Sequence, residues 1–368
     1  MSACKACFLL TVALFALPSL ADATVVQILP LSGPLKPVGE SARDTVAAYF
    51  KEAGQQNGAG KINLVTTDDA GNADRYLSEA KQQIDKQHPI ALLGAIGAGG
   101  PLKLIDNQVL ENAKIPLIGP ISGTPALADN PNIYLVRASW RDEIQKLMRM
   151  MHSLGIKRVG VFYAPDPDGK FALFSAQQEA NLVGLSVVSA SAAPGDAVKL
   201  NAAAKYLLSE SVDAIMMANT PATSGGFLKA YRGIGGGGQI FALSSVGSGQ
   251  AMVDIAGTDA ARGAGISQIM PFVYADSSPL VREYHAFAKR NNLRTGYIEL
   301  EYYVAARVFV DSLRRAGRNP TGESLMKTLD ATQDLGLGEY HISFTPDAHV
   351  GSKFVEMTVI GTDGHLER

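Results

Sequence analysis

Cysteine is nearly absent. The 368-residue chain has two, Cys4 and Cys7, both among the first seven residues. Their position excludes a disulfide framework or a cysteine-based metal cluster in the body of the chain. Charge is also scarce, at 18% of residues, against about 25% in ordinary soluble domains. The 33 basic and 35 acidic residues nearly cancel to −2, which argues against a nucleic-acid footprint and against an acidic disordered chain. The marks of common catalysts are missing too. There is no Walker loop and no G-x-S-x-G elbow. The six histidines are dispersed, and no pair has the i, i+4 spacing that suits a metal on a helix. Gly97-Ala98-Gly99-Gly100-Pro101-Leu102 begins like a dinucleotide loop, but its third glycine position is Leu102. Asp68 and Asp69 are adjacent on a strand and point to opposite faces, so they do not form an acid–base pair. The residues supply no catalytic group, no cofactor site and no metal site.

What is present begins at the N-terminus. Lys5 precedes an apolar run from Ala6 to Leu17, Pro18 breaks it, and Ser19 and Ala21 supply small residues for cleavage. Residues 1–21 read as a secretory signal, too short in its apolar part to span a bilayer that needs about 20 residues. Both cysteines precede the cleavage site, so the pattern is not that of a lipoprotein. No later run is apolar enough to cross a membrane. The expected product is a soluble, exported, cysteine-free protein.

The length suggests two domains, and the patterning agrees. Short apolar runs such as Val25–Leu29, Ile62–Thr66, Ile90–Leu93 and Pro116–Ile118 alternate with helices at 39–53, 72–87 and 101–112. The alternation restarts at Arg158–Tyr163 and runs through Ser186–Ser189, Ala214–Met217 and Gln239–Leu243, with helices at 171–183, 199–210 and 225–234. Near-continuous apolar strands separated by helices predict parallel sheets covered on both faces. After Ile269-Met270-Pro271 the pattern shifts to helices at 280–291, 297–316 and 323–332, and then to strands at 339–344 and 353–360. Ligands of such sheets bind at the carboxyl ends of the strands. The loops there are rich in Gly, Ser, Thr and Pro, which suits a small polar or anionic ligand.

Several short motifs occur in a telling order. They are Leu31-Ser32-Gly33-Pro34 with Gly39, Asp68-Asp69-Ala70, Ile90–Gly97, Ile115-Pro116-Leu117-Ile118-Gly119-Pro120, Arg137-Ala138-Ser139-Trp140-Arg141-Asp142 and Ile156–Tyr163. Together they resemble the type I periplasmic solute-binding proteins of the leucine/isoleucine/valine-binding class, which serve ABC importers. The resemblance covers essentially the whole chain after the signal. It implies an α/β fold of two doubly wound parallel-sheet lobes joined by three crossovers, near 137–139, 269–271 and 342–344. The lobes would be residues 24–138 with 271–341, and 139–269 with 343–368. It further implies a small-molecule ligand in the interlobe cleft, hinge closure, a permease partner in the inner membrane, a periplasmic location and a monomer. A periplasmic ligand sensor of the same fold is the alternative.

The resemblance also locates candidate ligand contacts, with departures. Ser32 lies in the first ligand loop. The loop after the third strand carries Gly97 and Ala98 where amino-acid-binding members offer a hydroxyl. The next loop keeps Ser122 and Thr124. Asp168, before Gly169, stands where the family has a tyrosine, and Ser245 where it has the acid that receives an α-ammonium. The amino-acid clamp is therefore incomplete, and Asp166 or Asp168 would have to replace the missing acid. Asn219 and Thr220 end a strand and are further polar candidates. Trp140, the sole tryptophan, either walls the cleft or packs the hinge, and Tyr274 and Tyr297 have the same two readings.

Overall fold

The computed structural model describes residues 23–55, 61–247, 249–276 and 278–368. The expected export signal, with Lys5, Cys4 and Cys7, lies outside the described residues. Five strands build the first sheet: β1 (Ala23–Leu29), β2 (Ile62–Asp68), β3 (Ala91–Leu93), β4 (Leu117–Ile118) and β5 (Ile133–Tyr134). Their spatial order is β2-β1-β3-β4-β5 and every pairing is parallel. Successive residues of β1 serve opposite faces, as a pleated strand requires. Val25 and Leu29 join the core that contains the Tyr297–Ala316 helix, while Val26 and Ile28 join the core that contains Tyr76 and Leu104.

The second sheet repeats that order. It starts from β6 (Arg158–Tyr163), β7 (Ser186–Ser191), β8 (Ala214–Ala218), β9 (Gln239–Ala242) and β10 (Gly265–Gln268), arranged β7-β6-β8-β9-β10. A small hairpin, β11 (Leu335–Leu337) with β12 (Tyr340–Ile342), intervenes in the chain. The sheet is then completed by β13 (Glu356–Ile360) and β14 (Leu366–Glu367), both antiparallel. The second lobe is thus a parallel sheet with an antiparallel edge. β13 arrives from the first lobe rather than through a β-α-β unit, so no helical crossover forces it parallel. In β8, Ala214 and Met216 face one core and Ile215 and Met217 the other.

After β10 the chain returns to the first lobe. The helices Pro279–Asn291 and Tyr297–Ala316 bury Tyr284, Phe287, Tyr303 and Phe309 with Leu29 and Ile118. The third crossing differs from the expected 342–344. Leu135 bridges Val350 in parallel, Phe344 packs edge-on against Tyr134, and the first strand in the second sheet begins only at Glu356. The crossing therefore runs through residues 351–355. The apolar run to Phe344 belongs to the first lobe's core.

Three helices, starting at Lys36, Pro167 and Pro221, begin three or four residues earlier than the apolar periodicity indicates. Asp166 caps Pro167–Val183 by accepting from the Gly169 amide, Thr220 caps Pro221–Gly233, and both helices open on proline. Proline fits the first turn because the amide it lacks has no helical partner there. The expected 101–112 helix divides into Gly99–Asp106 and Val109–Ala113, with Gln108 left-handed at φ 51° between them.

Candidate functional site

Both sheets change winding direction beside their first strand, and the loops at the carboxyl ends of their strands face one another. Between them lies a cleft of about 400 Å³. The first lobe contributes Ile96, Gly97 and Ala98 after β3, Ile121, Ser122 and Thr124 after β4, and Tyr297, Ile298 and Glu301 from the long helix. The second lobe contributes Trp140, Asp168, Pro221, Ser244, Ser245 and Gly247, with Gln268 and Ile269 at the second crossing. Gly97 adopts φ +83°, a left-handed conformation that turns the loop along the cleft wall and that a side chain would strain.

Of the residues expected from the sequence, Gly97, Ala98, Ser122, Thr124, Trp140, Asp168, Ser245 and Tyr297 line this cleft. The other four lie elsewhere, for visible reasons. The Ser32 hydroxyl donates to Asp68 Oδ2 at 2.7 Å, in a turn where Asp68 also accepts from the Leu31 amide. Asn219 is buried, donates to the Ala192 carbonyl and accepts from the Thr220 amide. Thr220 is committed to its helix cap. Tyr274 stands edge-on to Phe272 and Tyr297 and borders a separate hollow with Gln250 and His365.

Within the cleft, the Thr124 and Ser245 hydroxyls are buried and have no hydrogen-bond partner among the described residues. Thr124 precedes the short Pro125–Ala128 helix but makes no side-chain cap, so its hydroxyl stays available. Asp168 sits in the first turn of its helix. Burial, reinforced by the neighbouring Asp166 carboxylate, pushes it up to about 6.

Sequence reasoning missed the charged group that joins the lobes. Arg137, on the first crossing, donates through Nη2 to Ser244 Oγ at 2.6 Å and to Glu143 Oε1 at 3.3 Å. Its Nη1 lies 3.7 Å from Glu301 Oε2. Glu143, wholly buried, also accepts from the Ser244 amide, the Ser244 hydroxyl and the Ser267 hydroxyl. Glu301 is 3% exposed and its Oε1 has no hydrogen-bond partner among the described residues. Burial and the Glu143 charge raise Glu301 while Arg137 opposes them, and the carboxyl is pushed up to about 7. The signal for Arg137 was present in the Arg137–Asp142 motif. Two other residues of that stretch are explained locally, because Ser139 and Asp142 form a reciprocal cap on the Trp140–Ser153 helix. Glu301 had no such signal, since a glutamate among apolar residues of a helix reads as a solvent-facing position.

Among the described residues no cluster of histidine, cysteine, aspartate or glutamate could hold a metal ion, and no helix is long and apolar enough to cross a membrane. Two sheets of the same winding around a shared cleft, with unpartnered hydroxyls and a bridging arginine, define a two-lobed solute-binding protein. The chain belongs to the periplasmic binding protein family, whose profile matches residues 23–364. Solved structures agree. A substrate-binding periplasmic protein from Ralstonia solanacearum is 29% identical, with a TM-score of 0.81 over 94% of this chain and 99% of that one. An extracellular ligand-binding receptor from Verminephrobacter eiseniae is 24% identical, with a TM-score of 0.85 over 95% and 100%. A branched-chain amino acid ABC transporter protein from Thermus thermophilus, solved with valine, is 20% identical, with a TM-score of 0.79 over 95% of each chain. The comparison with curated proteins finds no match.

Proposed function

We propose that this chain is the periplasmic substrate-capturing component of an ABC importer. It takes a small amino-acid-like molecule, amide or carboxylate into the interlobe cleft and presents it, lobes closed, to a permease in the inner membrane. The observation that supports this most directly is the cleft lined by loops of both lobes. A ligand touching both walls favours the closed state by its extra contacts there, which is what a partner can distinguish. The signal-like residues 1–21 agree with export, and hinge closure needs only one copy of the chain.

A thermal-shift screen of amino acids, amides and small carboxylates tests the reading. A true ligand at a hundredfold excess over its Kd adds about 2.7 kcal/mol by mass action, a clear rise in melting temperature. The ligand should leave the protein chemically unchanged. Turnover, or the absence of a shift across all three classes, would overturn the proposal.

A further inference from the structure

We propose that the hinge carries a second binding site, for a small oxyanion with two or more negative charges. It lies outside the interlobe cleft and shares no lining residue with it. A hollow of about 380 Å³ is lined by Asp142, Gln145, Lys146 and Arg149 of the Trp140–Ser153 helix and by Lys353 and Val355 of the third crossing. The four helical residues follow the i, i+3, i+4, i+7 spacing, so they share one face. The opposite face, Ile144, Leu147, Met148 and Met151, is buried in the second lobe's core.

Three cations line this hollow against one acid, and the acid is already answered. Asp142 Oδ2 accepts the Ser139 amide at 2.9 Å and the Ser139 hydroxyl at 2.6 Å, and Oδ1 accepts from Lys353 Nζ at 2.8 Å. Lys146 and Arg149 are exposed, and neither side chain has an ion pair or hydrogen bond among the described residues. Glu179 stands nearby but does not line the hollow; its Oε1 accepts from Gln145 at 3.3 Å and its Oε2 is buried. Three cations less one anion leave the lining at +2. A monovalent ion leaves half of that charge uncompensated, whereas a doubly charged oxyanion matches it. Arg149 offers a planar fork that can pair two oxygens of one anion, and the two lysines add point charges on flexible stems.

The walls belong to different lobes. The helix wall moves with the second lobe, while Phe354 and Val355 pack on the first lobe's core and Phe354 meets the Tyr340 ring at 5.6 Å. An anion held jointly by Lys146, Arg149 and Lys353 ties the crossing to the helix. It favours the lobe arrangement in which these side chains converge. By linkage, the anion changes the cleft's affinity for its solute by the same factor that the solute changes the anion's. This consequence rests on the reading of the chain as a solute receptor; the site itself does not.

The test is calorimetry with inorganic phosphate, pyrophosphate and citrate at constant ionic strength, with chloride as the monovalent control. We expect saturable binding of at least one polyvalent probe at submillimolar concentration, and none of chloride. Lys146→Gln and Arg149→Gln should each weaken it by about tenfold, the scale of one hydrogen bond to a charged group. Both side chains are exposed, so the fold should be retained. Lys205→Gln makes the same change of charge on an exposed residue of the Ala197–Ser209 helix and should bind as wild type does. Hydrogen exchange in residues 145–149 and 351–355 should slow with the bound probe. No saturation by any polyvalent probe, wild-type affinity in both hollow variants, or an equal loss in Lys205→Gln would overturn the site. Exchange unchanged in both segments would overturn it as well, because the anion then sits elsewhere. Each of these failures leaves solute capture standing, since the thermal-shift screen reads the cleft separately.

Discussion

Arg137 sits where the first crossing meets both lobes, and its two acids behave differently. Glu143 has four donors around it, so removing the carboxylate strands the guanidinium, the Ser244 amide and the Ser267 hydroxyl together. Breaking a buried ion pair from one side costs about 3–5 kcal/mol. Glu143→Ala should therefore lower the urea midpoint by a corresponding amount, and a wild-type midpoint would refute the role assigned to the pair. Glu301 carries the opposite sign. Its folded carboxyl titrates near 7, above the 4.5 of the unfolded chain, so between those values the folded state holds the extra proton. Stability from this group is present at low pH and is lost as pH rises through about 7. A titration midpoint displaced by one pH unit between the folded and unfolded chains corresponds to about 1.4 kcal/mol. The ligand-free Glu301→Gln variant should gain on wild type, by up to about 3 kcal/mol, between pH 5 and pH 8. Parallel melting curves across that range would refute it. The same residue was invisible in the sequence, because burial and an idle oxygen are properties of packing, whereas Thr124 and Asp168 could be placed by the loops that carry them.

At the scale of elements, close approach decides which motif residues matter. A Cβ on Gly39 would lie 2.1 Å from the Pro30 carbonyl oxygen, so the first turn of the Lys36–Gln55 helix presses directly on the end of β1. Backbone cannot rotate out of the way, and Gly39→Ala should destabilise by about 1–3 kcal/mol. Gly54, in the last turn of the same helix, has nothing among the described residues within 4 Å of an added Cβ. Gly54→Ala should be stabilising by up to about 1 kcal/mol, and chemical denaturation of the two variants checks the contrast. Long apolar strands such as Val25–Leu29 and Arg158–Tyr163 were legible because their period and length stand out. The short β4 (Leu117–Ile118) was found within Pro116–Ile118, whereas the two-residue β5 carries little pattern of its own. The Trp140–Ser153 helix is hard to find in the sequence, since its start depends on a reciprocal Ser139–Asp142 cap more than on an apolar run. Helix starts at Pro167 and Pro221 were displaced because caps, not apolar residues, set them.

For the whole molecule, the two-lobe plan was legible from the restart of the βα pattern at Arg158, and the late return from the change of pattern after Pro271. The exact third crossing was not, because a strand-like run such as 339–344 does not announce which sheet it joins; the Leu135–Val350 bridge decides that in space. The same plan gives the molecule an intrinsic reporter. Trp140 is the sole tryptophan, half-buried on the cleft wall and at the start of the helix that follows the first crossing. Its neighbour across the gap is the first-lobe loop at Gly123, whose carbonyl accepts the Trp140 amide at 2.8 Å. Closure over a ligand removes water from the indole and brings the Ile96–Ala98 loop nearer, so emission should shift to the blue and saturate with the calorimetric Kd. Small-angle scattering on the same samples should show a smaller radius of gyration. A ligand that binds by calorimetry yet moves neither signal would mean that the lobes stay as they are, and that capture does not proceed by closing the cleft.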